Sequence, residues 1–542
     1  MMSGSDHLGI AGISRSACVA LAMVGLFALL GLRGADVALG GPNQTTVLKP
    51  GSGSGPQRAD IVDRNGELLA TSVVAYSLVA DPRAIWDPED LVRELSAILP
   101  DLDEEVLVER LRNRDRRFEW VKRGLTPRQM QSVFDLGLEG LSFRKESHRV
   151  YPRGSQAGHL LGHVDIDGLG RMGVERAFEA MLSAGEQPLQ LTLDSGVQFA
   201  LDQELSDAAN LFDAEGAAGL VVEASTGEIR GFASWPSFDP NRPELAGAEK
   251  RLNRVSGAVF ELGSIFKPFS VAAALDAGAI GVDDRFDVRA PIVIAGKSIK
   301  DTHKGPASMS VTDIVSESSN IGTVKIAQRL GGETLRAAYK TFGLFDRAPS
   351  DFGVSASPLL PDYWGELEHA TISYGHGMAV TPLSFAQAFM AFANDGQTVP
   401  IRLLRAKDDA EPKRIMSASA AEQLRGMLRA TVVHGTGQSA DVPGFRVAGK
   451  TGTAEKPIAG GYAKDRNITS FVALFPAHSP EYVVLIVLDD PRAREGEGAT
   501  AAWNAAPTAG RVIERIAPLL GVVPLPELGS QESRASIDRR AL

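Results

Sequence analysis

The stretch FELGSIFKPFSVAAALDAG, Phe260 to Gly278, sets a serine and a lysine three residues apart at the head of an apolar run. In a helix, positions i and i+3 share a face, so Ser264 Oγ and Lys267 Nζ can come within hydrogen-bond reach. The continuation is apolar nearly all round, as in a buried helix, and Gly278 suits its end. A serine in the first turn of such a helix sits where free backbone N–H groups point outward. Its hydroxyl is a weak nucleophile and needs an adjacent base. A lysine can be that base only when burial or a second cation lowers its pKa toward working pH. The apolar surroundings offer the first, and the second has to come from elsewhere in the chain. Pro268 introduces a conflict, because it has no N–H to give the Ser264 carbonyl if the helix begins at the serine. The expectation is a helix start nearer Phe266, or an irregular first turn that presents the serine.

The spacing alone decides little. Ser142-Phe143-Arg144-Lys145 has it too, in the charged stretch EGLSFRKESHRVYPR, which lacks a helical apolar face. Two further signals separate the copies. SESSNIGT holds Ser318-Ser319-Asn320, and VAGKTGTAEK holds Lys450-Thr451-Gly452-Thr453 on a segment that reads as a strand. A Lys-Thr-Gly tripeptide should arise by chance about 0.1 times in a chain of this size. SxxK, SxN and KTG, in this order on a helix, a loop and a strand, match the active-site set of penicillin-binding proteins and serine β-lactamases.

The surrounding elements fit such a site. VQFALDQELSDAANLF reads as a helix, and GLVVEASTGEIRGFASW as a hairpin turning at Ser225-Thr226-Gly227-Glu228. Three late strands follow a mostly helical middle: FRVAGKTGTA, ITSFVALFPA and YVVLIVLDD. A hairpin and a three-strand run separated by helices predict one antiparallel sheet of five strands flanked by helices, an α+β arrangement. Before it, residues 58–188 mix short strands with charged helices. ADIVDRNGELLATS carries the hairpin signal Asn65-Gly66, and DLVRELSAILP and EEVLVERLRN have helical spacing.

Gly168-Leu-Gly-Arg-Met-Gly173 imitates a dinucleotide fingerprint, with Asp194 about twenty residues on. The segment before it, HLLGHVDID, is too polar for a buried parallel strand, and no series of βα units follows. It reads as a glycine turn that caps a helix.

At 542 residues the chain can form two or more domains, and its 44% hydrophobic and 23% charged content is ordinary. A net charge of -11 argues against nucleic acid as a partner. The single cysteine, Cys18, excludes an intramolecular disulfide, a CxxC pair and paired-cysteine zinc sites, and the nine histidines show no HExxH spacing. No metal or cofactor is expected. Residues 17–32, ACVALAMVGLFALLGL, are apolar between Arg15 and Arg33. They are somewhat short of the ~20 residues of a spanning helix, but arginine stems can extend the span. A retained anchor is the expectation and a cleaved signal peptide the alternative. LKPGSGSGPQ after it reads as a flexible linker, and residues 526–542 as a polar tail.

Taken together, the chain resembles class B penicillin-binding proteins, and most closely the division-specific septal peptidoglycan transpeptidases. RADIVDRNGELLA, with Ala59 where glycine is usual, RVYPRGSQAGHLLGHV and GRMGVERAFE resemble the non-catalytic motifs of that family. SWPSFDPN, NRVSGAVFELGSIFKPF, SYGHG, VTPLSFAQAFMAFANDG and AGKTGTAEKP resemble its transpeptidase domain. The resemblance implies a cytoplasmic tail (1–15), a transmembrane anchor (16–33), a linker (34–57), a dimerisation-type pedestal (58–188), a transpeptidase domain (189–525) and the tail.

It also implies roles. Ser264 is the acylated nucleophile and Lys267 its base. Ser318 relays a proton between Lys267 and the leaving or attacking amine. Asn320 hydrogen-bonds Lys267 and the substrate amide. Lys450 is the second cation, keeping Lys267 neutral and attracting the substrate carboxylate, which Thr451 and Thr453 bind. Gly452 lets the substrate lie along the strand edge, and the N–H groups of Ser264 and Thr453 form the oxyanion hole. No catalytic role falls to Tyr374 or His376. The implied activity is D,D-transpeptidation of peptidoglycan stem peptides, with β-lactams trapping Ser264. The implied partners are a membrane-embedded glycosyltransferase and division proteins, and the implied location is the inner membrane with the catalytic domain in the periplasm. Alternatives left open are elongation-type synthesis, a D,D-carboxypeptidase or β-lactamase, and a non-catalytic β-lactam-binding scaffold.

Overall fold

The computed structural model describes residues 58–525 apart from 303, 304, 349, 354, 406–410 and 459. The expected cytoplasmic tail, anchor and linker, and the C-terminal tail, lie outside the described residues. Among the described residues no helix is long and apolar enough to cross a membrane. The described residues form one compact unit.

The first layer is built on a long strand. β1 (Ile61–Val62) turns at Asn65-Gly66 into β2 (Leu68–Ala80). Gly66 takes a positive φ of 86°, and Asp63 Oδ1 accepts from the N–H groups of Asn65 and Glu67 at 2.8 and 2.9 Å. Helices α1 (Pro88–Ile98) and α2 (Glu104–Arg112) follow, each started by an aspartate cap. β2 then pairs antiparallel with both β3 (Glu119–Leu125) and β4 (Leu141–Val150), with α3 (Pro127–Asp135) between them in sequence. β5 (Leu189–Gln190) pairs parallel with β1. The second SxxK copy lies in β4, where residues three apart point to opposite faces, so Ser142 and Lys145 cannot act together. The imitation dinucleotide motif is a tight turn before a five-residue helix, Gly173–Ala177. A Cβ on Gly170 would stand 2.0 Å from the Glu175 carbonyl oxygen, so this glycine serves backbone packing.

The second layer starts at α4 (Ser195–Leu211), whose first N–H is held by Asp63 Oδ2 at 3.0 Å. β6 (Gly216–Glu223) and β7 (Ile229–Trp235) form the expected hairpin. The buried helix after the serine is α5 (Lys267–Asp276). Helices α6 (Asn320–Leu330), α7 (Pro382–Ala393) and α8 (Ala418–Val433) make up the middle. β8 (Ala448–Ile458), β9 (Gly461–Phe475) and β10 (Tyr482–Asp489) then complete a five-stranded antiparallel sheet in the order β8-β9-β10-β6-β7. α9 (Ala505–Ile516) closes the domain.

β6 and β10 are buried along all but their last residue, because helices cover both faces of the sheet. Alternate residues serve the two faces. Val221, Phe471 and Val484 pack with α4 and α9, while Leu220, Val472 and Leu485 join the core of α5 and α7. That core is aromatic: Phe269 lies 4.9 Å from Phe392 and 5.4 Å from Phe385 between ring centres. Burying each such ring contributes about 1.5–3 kcal/mol, so α5 is anchored firmly behind the serine.

Candidate active site

A 3-10 turn, Gly263–Phe266, carries Ser264, and the α-helix begins only at Lys267. The Lys267 N–H reaches back to the Ser264 carbonyl, so that oxygen keeps a partner despite Pro268. Pro268 then falls in the first α-turn, where a helix has no use for the missing N–H. Both expected features are present: a late helix start and an irregular turn that presents the serine.

Three backbone segments meet at this turn, and glycines let them do so. Gly263 has φ 60°, and a Cβ there would stand 2.8 Å from the Thr453 carbonyl oxygen. A Cβ on Gly375 would stand 1.9 Å from the Gly263 oxygen. A Cβ on Gly452 would stand 2.3 Å from the Leu262 oxygen and 2.4 Å from Ser470 Oγ. This corrects the reason expected for Gly452: the missing side chain points under the serine turn, not toward a substrate. It lets the turn seat directly on β8.

Lys267 and Lys450 are both fully buried. Lys267 Nζ donates to Ser318 through the carbonyl oxygen at 2.5 Å and Oγ at 3.0 Å. Burial, and then the Lys450 charge, push its pKa well below the usual lysine range, against the pull of Asp301. Lys450 donates to the Thr451 carbonyl at 3.0 Å, and burial pushes it down to about 7. Two amines this buried cannot both hold a proton comfortably. Lys267 carries the additional push of the other's charge toward the neutral form.

Ser318 has φ 62°, a left-handed conformation that non-glycine residues rarely adopt. That twist aims its carbonyl and its hydroxyl at the same amine, a strain of order 1–3 kcal/mol held at a functional position. Ser319 caps α6, with Oγ accepting from the Gly322 N–H at 2.9 Å and donating to Asp301 at 2.8 Å. Asn320 is the first residue of α6, not a loop residue, and its Nδ2 donates to the Lys300 carbonyl at 3.0 Å. The expected bond from Asn320 to Lys267 does not occur among the described residues, since Ser318 supplies both contacts to that amine.

Ser264, Ser318, Asn320, Thr451 and Thr453 line one cavity of about 700 Å³. Neither lysine lines it directly; Lys267 is bonded to the lining residue Ser318 and Lys450 to the lining residue Thr451. Among the described residues the Ser264 hydroxyl has no hydrogen-bond partner, and it lines the cavity, so it is free to meet a ligand. Thr451 Oγ1 pairs with Thr436 Oγ1 at 2.6 Å, and Thr453 Oγ1 accepts from the Ala501 N–H at 3.1 Å. Two lining residues, Asp301 and Thr436, are not singled out in the sequence, and a third, His376, is given no role there. Asp301 braces the SxN turn, Thr436 braces Thr451, and His376 comes from the SYGHG segment. Burial and the neighbouring Lys267 push His376 down to about 4, so it is neutral at ordinary pH. The SYGHG glycines were its one available signal.

The arrangement suits acyl transfer: a free hydroxyl at a helix start, a buried amine whose pKa is pushed down, a strained serine bonded to it, and backbone N–H groups from the turn and from β8. Comparison with known proteins gives the same direction. Residues 217–510 match the penicillin binding protein transpeptidase domain, and 54–200 the penicillin-binding protein dimerisation domain. The chain is 40% identical over 523 residues to the probable peptidoglycan D,D-transpeptidase FtsI of Caulobacter vibrioides, covering 92% of this chain and 88% of that one. It is 34% identical to the probable peptidoglycan D,D-transpeptidase PenA of Neisseria meningitidis, covering 82% of each. Penicillin binding protein 3 of Mycobacterium tuberculosis, solved with ampicillin, superposes with a TM-score of 0.70 at 27% identity, covering 88% of this chain and 98% of that one.

Proposed function

The chain belongs to the penicillin-binding proteins that set a transpeptidase domain behind a dimerisation domain, and from that premise we propose a peptidoglycan D,D-transpeptidase that works through a Ser264 acyl-enzyme during septal wall synthesis. Neutral Lys267 takes the Ser264 proton as Oγ attacks the penultimate carbonyl of a D-Ala-D-Ala stem. The oxyanion forms against the N–H groups of Ser264 and Thr453. Losing one such donor typically costs about 3 kcal/mol of barrier. Ser318, already bonded to Lys267, passes the proton to the departing D-alanine. Charged Lys450, with Thr451 and Thr453, holds the terminal carboxylate, and Asn320 the stem amide. An amine of a second stem then attacks the ester carbonyl; the C–N bond forms as the acyl C–Oγ bond breaks, and the proton the amine loses passes through the same relay to Ser264 Oγ.

The observation that carries this reading is the buried Lys267, its pKa held well below the usual range, bonded to Ser318, together with a Ser264 hydroxyl that has no partner among the described residues. β-Lactams would acylate the same serine. Incubation with fluorescent penicillin tests it: wild type labels one-for-one and Ser264→Ala does not. Normal labelling of that variant would defeat the assignment.

The remaining organisation belongs to the same proposal. Residues 16–33 anchor the chain in the inner membrane, 58–188 form the pedestal and 189–525 the catalytic domain. Lipid-linked glycan strands lie outside that membrane, so the catalytic domain faces the periplasm. The septal assignment rests on likeness to proteins named FtsI. Depletion in the source bacterium should produce filaments, and spheres would transfer the role to elongation.

A further inference from the structure

A second cavity of about 460 Å³ is lined by the sequence neighbours of residues that line the catalytic cavity. Neighbouring residues of the same segments face opposite ways. His376, Glu455 and Asn467 line the catalytic cavity, while Gly377, Lys456 and Ile468 line the second. Its body is apolar, with Ala258, Phe260, Leu360, Met378 and Pro457 among the walls, and its volume suits a small organic ligand.

Four charged side chains reach it, and three are already engaged. Lys456 Nζ donates to Asp489 at 2.5 Å and to Glu215 at 2.7 Å. Glu261 accepts from Tyr462 OH at 3.0 Å and from the Gly377 N–H, and burial raises its pKa, which weakens its charge. Arg254 differs. It is only 4% exposed, yet its guanidinium has two long contacts among the described residues, both to Glu249. One is 3.4 Å to the carbonyl, and the other 3.8 Å to a carboxylate that is itself 77% exposed. Burial pulls Arg254 below its usual range despite the carboxylates of Asp489, Glu249 and Glu215. Room for the group is built into the fold, since a Cβ on Gly216 would stand 2.1 Å from Arg254 Nε. A buried cation with unengaged donors on an apolar cavity is a mismatch that an anionic ligand removes.

We propose that this second cavity binds an amphipathic organic anion, a carboxylate on an apolar body, with Arg254 as its counter-charge. The site is separate from the catalytic cavity and does not depend on the transpeptidase reading. The test uses full-length protein and 3-phenylpropionate as probe, followed by ligand-observed NMR, with 3-phenylpropanol and 3-phenylpropylamine as neutral and cationic controls. Saturable binding of the carboxylate is expected, stronger than that of either control. It should persist after Ser264 has been acylated with penicillin. Arg254→Gln should weaken it about tenfold or more, the loss of a charged hydrogen bond. Leu360→Glu, at the partly exposed rim, sets a negative charge in the mouth and should weaken it without touching the guanidinium. If Arg254→Gln does not fold, the rim variant carries the test. The proposal falls if no saturable binding occurs, if the alcohol binds as well as the carboxylate, if acylation abolishes binding, or if the folded variants bind like wild type.

Discussion

At the scale of single residues, everything turns on Lys267 being neutral in the fold. That property has a thermodynamic signature apart from catalysis. In the unfolded chain the amine titrates near 10.4, whereas in the fold burial and Lys450 hold it well below its usual value of 10.5. Between these two pKa values the unfolded state carries a proton that the folded state lacks. Unfolding free energy therefore rises with pH across that window, by about 1.4 kcal/mol per unit, and the gain is lost as pH falls. Lys267→Met removes the group and with it this slope. Unfolding free energies of both proteins, from urea titrations at pH 7.5 and 9, should diverge with wild type gaining, by at most about 1.4 kcal/mol per pH unit. A constant difference would mean that Lys267 stays charged when folded, and it could not then be the base.

At the scale of elements, the serine turn and β8 must touch backbone to backbone, and Gly452 permits it. Gly452→Ala forces a methyl group against the Leu262 oxygen and Ser470, which are main chain and buried side chain that cannot simply swing away. The turn must lift off the strand, separating the N–H groups of Ser264 and Thr453. Penicillin acylation should slow by tenfold or more, a barrier increase of at least about 1.4 kcal/mol. Gly426→Ala is the control. It lies in α8 with nothing within 4 Å of the added carbon, so it should stabilise the protein by about 0.5–1 kcal/mol and leave acylation unchanged. A Gly452→Ala variant that acylates at the wild-type rate would remove the packing argument. The same contrast shows what could be read from sequence. KTG on a strand was legible from its neighbours. The direction of the missing Cβ was not, because that depends on which face of an edge strand meets the turn. Asp301 and Thr436 were illegible for a related reason: each comes from a segment that only the fold brings to the cavity. The late helix start was legible, because proline chemistry is local.

At the scale of the whole molecule, the catalytic sheet was legible from its long apolar strands, whereas the order of the first sheet was not. β1 and β5 are two residues each, too short to carry a period, yet their parallel pairing joins the start of the described chain to the approach to α4. A buried charge cluster holds that same region. Glu175, with no exposed surface, accepts from Arg58 Nε and Arg149 Nε at 2.7 Å each and from Tyr151 OH at 3.2 Å. It thereby fastens the segment before β1, the end of β4 and the short helix at 173–177. Replacing the whole cluster by apolar groups could be neutral, but removing one partner strands the others. Glu175→Ala leaves Arg149 buried without a carboxylate, while Arg58 keeps Glu179 at 2.9 Å. The expected cost is about 3–5 kcal/mol, read as a lower denaturant midpoint. None of these groups lines the Ser264 cavity. At low temperature, where the variant remains folded, fluorescent penicillin should therefore label Ser264 at the wild-type rate. Slower labelling of folded protein would show that the cluster also sets the geometry of the catalytic turn, and that the first sheet is more than a support.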